Sequence, residues 1–357
     1  MELLKGKNIY LIGTGARKIV QLPKAIREFT AAGAKVYTIM SNMGRELCNS
    51  SLSDFEMQGN TMVTGYSREG EKLPLEDLVL VAPCTFNTLN KISAGIADTY
   101  LTTIIASSIG NRRKVVIAPA MNSTLWEHPQ TQESIKRVQS WGCRIIYPEI
   151  SPEKVTMAPI EKVTDTVFSI LVKIRYESEK VEVDEKYINL VEENYSEFRR
   201  IGESMLDLDL TKGSAGCIAK RVREGYLISS TGSQVGSLSP DELTLVKRRI
   251  GEKIVWQGYK MPSSETPLFL GIYSSLPQTN AIIHGHCPRI TYCQKMQKYA
   301  SEEYVRYGLF GESDKISGIL KENKGFGILR LHGELSLGES LTDSFSNLKS
   351  RLDEAHE

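Results

Sequence analysis

Residues 281–290 read AIIHGHCPRI, an apolar run that ends in His-x-His. Side chains alternate faces along an extended strand, so His284 and His286 point the same way, close enough to share one cation. A catalytic zinc takes three protein ligands and keeps one position open, so a third donor is required. Of the five histidines, those at 332 and 356 are the other candidates outside the N-terminal half. His332, in GFGILRLHGEL, follows an apolar strand-like run and precedes a glycine, whereas His356 sits in a charged tail, which makes His332 the better candidate. An isolated histidine is more often a core or surface residue than a ligand, and the pair alone leaves that reading open.

A second chemical feature is GTGARK, residues 13–18, directly after the first strand-like segment. Glycines there let the backbone amides of a helix start approach an anion. A dinucleotide site has a further glycine near position 18 and an acidic residue ending the second strand, but Lys18, Ser41 and Asn42 occupy those places. The pattern therefore turns from NAD toward a mononucleotide. A tight strand-to-helix turn without a ligand accounts for GTG equally well.

The elements that must carry these groups have two grammars. From residue 7 to about 175, short apolar strands (KNIYLIG, KVYTIM, LVLVAP, KVVIAPAM, CRIIYP) alternate with helix-like stretches such as that around Leu22, Ile26 and Phe29. That alternation predicts a doubly wound α/β domain with a parallel sheet. The charged stretch KIRYESEKVEVDEK, residues 173–186, reads as a linker or exposed helix end. A boundary there gives domains at 1–178 and 186–350. After it, Ile188, Val191, Tyr195, Phe198, Ile201 and Met205 recur at helical spacing, and the strands GYLIS and NAIIHGH follow without regular helix alternation, which predicts α+β.

In the first half, APCTFNTLNKISAGIAD (82–98) and APAMNSTLWEHP (118–129) lie at predicted strand ends. With GTG they resemble the flavoprotein family that includes phosphopantothenoylcysteine decarboxylase, over about residues 7–165. The resemblance implies FMN, with Gly13, Thr14 and Gly15 cradling its phosphate and Ser41 beside them. It also implies that Thr85, Asn87 and Thr88 contact the flavin side, that Lys91 and Asp98 match similar residues, and that Asn122 binds the substrate's carboxyl end. Two family residues are missing. EGEKLPLED (69–77) stands where a catalytic histidine is expected and no histidine precedes His128, while SPEKVTMAPIEK (151–162) lacks the cysteine and glycines of a flap. FMN binding without that decarboxylation is the expectation.

In the second half, the ordered set KGSAGCIAKR, LISSTGSQVG, MPSSE, HGH and LHG resembles the class II aldolase/adducin family over about residues 187–345. The resemblance implies zinc held by His284, His286 and His332, with Glu265 as catalytic acid/base. It implies substrate-phosphate turns at Ser214 and Gly216, at Thr231 and Gly232, and at Ser263 and Ser264. Cys217 stands where many relatives carry a phosphate-contacting asparagine, and Cys287 reads as a buried thiol. PSSE can also be an N-cap with Glu265 at the third helical position.

The expected function is a fused flavoprotein and zinc-dependent lyase that cleaves a small phosphorylated ketose-like substrate through a metal-stabilised enediolate. The same site suits a dehydratase resembling methylthioribulose-phosphate dehydratase, and a non-catalytic assembly protein is the third reading. Net charge is +1, with 24% charged residues and no basic patch interleaved with aromatics, which excludes nucleic acid and an anionic membrane as dominant partners. No apolar run reaches the roughly 20 residues of a membrane span, and six scattered cysteines suit free thiols. A cytoplasmic homo-oligomer is expected, the latter because relatives of both halves assemble.

Overall fold

The computed structural model describes residues 2–65, 73–150 and 155–356. It divides into two compact units, Met1–Val172 and Lys173–Glu357. Residues 69–72 of EGEKLPLED and 151–154 of SPEKVTMAPIEK lie outside the described residues.

The first unit is built on six strands: β1 (Asn8–Gly13), β2 (Lys35–Met40), β3 (Asn60–Val63), β4 (Leu78–Cys84), β5 (Lys114–Pro119) and β6 (Arg144–Ile145). They pair in the order β3-β2-β1-β4-β5-β6, every pairing parallel. Parallel strands are covered on both faces and so read as unbroken apolar runs; all seven residues of β4, LVLVAPC, are buried. The helices are α1 (Leu22–Ala31), α2 (Asn42–Leu47), α3 (Phe86–Ser93), α4 (Tyr100–Gly110), α5 (Ser123–Trp126), α6 (Pro129–Ser140) and α7 (Ile160–Leu171). In α1 the buried positions include Leu22, Ile26 and Phe29, as the helical spacing predicts. Strand order reverses between β1 and β4, which opens a crevice at their carboxyl ends. A short antiparallel pair, β7 (Glu149–Ile150) and β8 (Val155–Thr156), stands apart from this sheet.

The second unit contains an eight-stranded sheet. Its strands are β9 (Glu177–Val181), β10 (Cys217–Val222), β11 (Gly225–Ser229), β12 (Leu243–Ile250), β13 (Lys253–Gln257), β14 (Ala281–Gly285), β15 (Phe326–Leu329) and β16 (Gly333–Gly338). The order is β15-β16-β14-β10-β11-β12-β13-β9, antiparallel except where β9 joins β13. Helices α8 (Glu185–Asp207), α9 (Thr266–Ser275), α10 (Pro288–Thr291), α11 (Asp314–Glu322) and α12 (Leu341–His356) complete it. One face packs Ile218, Leu227 and Ile283 against Phe198 and Ile201 of α8 and Leu348 of α12. The other packs Ala219, Ile228 and Ile282 against Phe269 and Ile272 of α9 and Leu320 of α11. The mixed sheet with helices on both faces is the α+β arrangement expected.

The second unit departs from the sequence pattern at two places. The stretch 173–186 is not a linker: it supplies the edge strand β9, whose ladder with β13 sets Glu177 against Lys253 and Glu179 against Val255, and only its last residues, Asp184 to Lys186, form the exposed start of α8. Edge strands tolerate charge, which also guards them against further pairing, so composition alone hid this one. Helix α8 is amphipathic as expected, yet Ile188 is exposed on its outer side, and Tyr187 is buried instead with its hydroxyl donating to Leu243 O at 2.7 Å.

Gly202 marks the tightest contact of α8. A Cβ there would lie 1.9 Å from the carbonyl oxygen of Val235. Helix propensity alone makes Gly202→Ala stabilising by up to about 1 kcal/mol. The clash reverses the sign, and urea denaturation followed by circular dichroism should show a loss of roughly 2–3 kcal/mol.

Candidate metal centre and nucleotide cavity

Register places the first histidine. In the ladders of β14, His284 pairs with Cys217 of β10 on one side and Leu335 of β16 on the other. Directly opposed residues of antiparallel strands share a face, and Cys217, Ile282 and Leu335 all belong to the core beneath α9. His284 therefore projects toward that side, where Glu265 immediately precedes α9. His286 lies two residues further on the same strand path, and its ring centroid is 4.5 Å from that of His284.

The third histidine comes from the turn between β15 and β16. Leu331 adopts φ 58, a left-handed conformation that a leucine side chain disfavours, and the His332 amide donates to Leu329 O at 2.9 Å. This places the His332 ring centroid 5.0 Å from that of His284 and 5.1 Å from that of His286. One ligand atom from each of the three lies within 4.8 Å of the others. Both motif glycines have a steric reason. A Cβ on Gly285 would meet Glu334 Oε1 at 2.4 Å, and one on Gly333 would meet Gly285 O at 2.3 Å and His284 Cε1 at 2.8 Å.

The chemistry of the donors fits a divalent cation. His284 Nδ1 is 2.9 Å from Glu334 O, and since a carbonyl only accepts, Nδ1 carries the hydrogen and Nε2 the lone pair. That Nε2 is buried and has no hydrogen-bond partner among the described residues. Burial pushes the His284 pKa down to about 4, so the ring is neutral at physiological pH, the state in which imidazole ligates metal. Glu265 is 7% exposed, and its Oε1 is 3.9 Å from His332 Nε2. It does not sit at the third helical position: it stands at the N-cap of α9, and its side chain does not cap the helix. Beneath the histidines, Glu334 is fully buried, and burial pushes its carboxyl up to about 7 against the bonds it accepts from the Cys287 amide and the Thr291 hydroxyl.

The expected phosphate turns are distributed around this centre. Ser214 is exposed in the turn before β10, and Gly216 has φ 97, with a Cβ there falling 3.0 Å from His284 O. Thr231 and Gly232 are tied to the PSSE segment, because the Thr231 amide donates to Met261 O at 2.9 Å and Ser230 bridges to Pro262. Ser263 Oγ accepts from the Glu265 amide at 3.2 Å, and Ser264 follows it. Burial pushes the Cys217 thiol up to about 12, so it is a neutral group facing the same side as His284. The charge run hid two neighbours of these turns. Lys173 Nζ lies 3.9 Å from the position of a Cβ on Gly232, and the Tyr176 hydroxyl, at 2.9 Å from Pro262 O and 3.1 Å from Ser263 O, holds the PSSE segment.

In the first unit, a cavity of about 530 Å³ opens at the carboxyl ends of β1, β2 and β4, within the range of small-molecule sites. Thr14, Gly15, Ser41, Thr85, Asn87 and Thr88 line it, together with Met43 and Tyr100. Gly13 lies at the end of β1, where a Cβ would meet Ile19 Cδ1 at 2.9 Å, and Gly15 sits beneath Met43. Thr14 is 1% exposed and spends its hydroxyl on Pro83 O at 2.8 Å and its amide on the same oxygen at 3.1 Å. Ser41 and Thr85 are the N-caps of α2 and α3. Asn122 caps α5 through Leu125 N at 2.9 Å and is not among the residues lining this cavity, while Lys91 and Asp98 form an ion pair at 2.5 Å.

Comparison with known proteins assigns each unit. Residues 2–172 match the Flavoprotein family, and residues 196–351 match the Class II Aldolase and Adducin N-terminal domain. The chain joins a flavoprotein domain to a class II aldolase domain. The flavoprotein domain is similar to the coenzyme A biosynthesis bifunctional protein CoaBC of Thermococcus kodakarensis, 34% identical over 182 residues, 49% of this chain and 44% of that one. The aldolase domain is similar to the L-fuculose phosphate aldolase of Methanococcus vannielii, 29% identical over 164 residues, 42% of this chain and 86% of that one. The L-fuculose-1-phosphate aldolase structure from Thermus thermophilus aligns at 21% identity with a TM-score of 0.36, over 45% of this chain and 90% of that one. The chain spans less than half the length of the first curated relatives it matches. Among the described residues, no helix is long and apolar enough to cross a membrane.

In the aldolase domain, Gly333 is the residue on which convergence of the histidines turns. Gly333→Ala should push the β15–β16 turn away from β14 and lower the zinc bound per chain well below that of the unaltered protein. Elemental analysis after dialysis against a weak chelator measures this, and full retention of metal would refute the steric account.

Proposed function

We propose that the aldolase domain is a zinc-dependent lyase acting on a small phosphorylated ketose-like substrate, and that the flavoprotein domain binds FMN. The observation that carries the first part is the convergence of His284, His286 and His332 with Glu265 at 3.9 Å from His332. When bound there, zinc supplies Lewis acidity for the carbonyl and hydroxyl oxygens of the substrate and stabilises the charge of the enediolate left by carbon–carbon cleavage. Every other step belongs to the chain itself.

His284 presents a neutral, oriented lone pair because Glu334 O holds its other nitrogen. Glu265, nearly enclosed, is placed to take the hydroxyl proton whose loss initiates cleavage and to return a proton to the enediolate carbon. The phosphate of the substrate is held by the turns at Ser214–Gly216, Thr231–Gly232 and Ser263–Ser264, with Lys173 beside the second. The name of the aldolase relative, an L-fuculose phosphate aldolase, supports this substrate class.

For the flavoprotein domain, the cavity, its hydroxyl and amide lining and the family match support FMN. We read it as lacking pantothenoylcysteine decarboxylation, because no histidine precedes His128 and residues 151–162 contain no cysteine.

Zinc-loaded protein given candidate ketose phosphates should release aldehyde, and Glu265→Gln should cut turnover by at least about a hundredfold while retaining the metal. Water loss in place of aldehyde release would reassign the site to dehydration, and turnover unaffected by Glu265→Gln would overturn the assigned role. For the other domain, added FMN should be taken up with perturbed flavin absorbance; protein that stays colourless through gel filtration refutes the binding.

A further inference from the structure

Glu334 lies on the far side of the sheet from the His284 ring, and nothing in the lyase chemistry uses it directly. It nevertheless contacts the neighbourhood of every histidine in the centre. It is two residues beyond His332 at the start of β16. Its carbonyl oxygen receives the Nδ1 hydrogen of His284. Its carboxylate accepts from the Cys287 amide, the residue after His286, at 3.0 Å and 3.2 Å through its two oxygens. The Thr291 hydroxyl of α10 donates to the same group at 2.8 Å. Gly285, its register partner, leaves room for the carboxylate, since a Cβ would stand 2.4 Å from Oε1.

A fully buried carboxylate is costly unless its oxygens are occupied, and these bonds occupy them with groups that fix the exit of β14. We propose that Glu334 is the positioning residue of the three-histidine centre. Its carbonyl sets the tautomer and rotation of His284, and its carboxylate locks the turn that carries His286. The inference rests on the reading of those histidines as metal ligands. It goes beyond that reading by assigning ligand preorganisation to one residue, through its backbone carbonyl at His284 and through a side chain on the opposite face of the sheet at the turn carrying His286, the part that the side-chain variants test.

The test measures zinc affinity by chelator competition and records the visible absorption of the cobalt(II)-loaded protein, neither of which depends on turnover. Glu334→Ala should weaken zinc binding roughly 10–100-fold and alter the cobalt spectrum. Glu334→Gln, whose amide can still accept from Cys287 and meet the Thr291 hydroxyl, should restore the spectrum and most of the affinity. A Glu334→Ala protein that melts lower yet binds zinc with unaltered affinity and shows an unaltered cobalt spectrum would reduce Glu334 to a stability role and overturn the proposal. If Glu334→Ala does not fold, Thr291→Val decides: a loss of affinity of roughly threefold supports the proposal, and an unchanged affinity overturns it. Unaltered protein that binds neither zinc nor cobalt refutes the metal reading itself, an outcome distinct from all of these.

Discussion

The aldolase domain depends on one close approach of backbones, that of Gly333 to the carbonyl of Gly285. The three imidazoles converge only because β16 begins hard against the end of β14. The turn before β16 must double back through a left-handed leucine to achieve this. Register then does the rest. A slip of one residue in β14 would send His284 to the face covered by α8 and α12, away from Glu265. The pairing of His284 with Cys217 and Leu335 anchors that register within two apolar cores, so the energy that forms the sheet also orients the ligands.

Burial gives the same residues their chemical state. Removing His284 from water penalises its charged form and keeps the ring neutral, while Glu334 O dictates which nitrogen faces inward. The opposing thiol of Cys217 is held neutral by burial as well, so it contributes no charge beside the centre. A site of this kind binds a dication through neutral donors and leaves much of its positive charge for a substrate.

Much of this was legible in sequence because period-two and period-3.6 patterns report faces directly. The pair His284 and His286 followed from alternation alone, the parallel first sheet from its apolar runs, and α8 from its spacing. His332 needed the family resemblance to become more than a candidate. What stayed hidden acts across long separations. Glu334 meets Cys287 and Tyr176 meets Pro262, contacts that no local pattern encodes. Strand β9, residues 177–181, reads as linker in sequence because an exposed edge strand and a solvated linker carry the same charges. Ile188 fits the helical period by its spacing to Val191 yet lies outside the buried arc, which runs from Tyr187 through Val191, Asn194, Phe198, Ile201 and Met205 and is tied at its first residue by the bond of Tyr187 to Leu243 O.

In the flavoprotein domain, the residues suited to an anion are already employed by the fold, and this sharpens how a ligand could be held. Thr14 gives both of its donors to Pro83 O, which fastens β1 to β4 across the point where strand order reverses. Contact from that turn therefore passes to Gly15. Ser41 and Thr85 accept amide hydrogens as helix caps, at Gly44 N and Thr88 N, but a hydroxyl that accepts through a lone pair keeps its own hydrogen to donate. No lysine or arginine is among the described residues lining the cavity. An anionic ligand there must be held by hydroxyls, amides and the first turns of α2 and α3, whose unpaired N–H groups favour negative charge. The turns around the three histidines likewise present hydroxyls and backbone amides, so on the proposed function both domains would select anions by geometry more than by net charge.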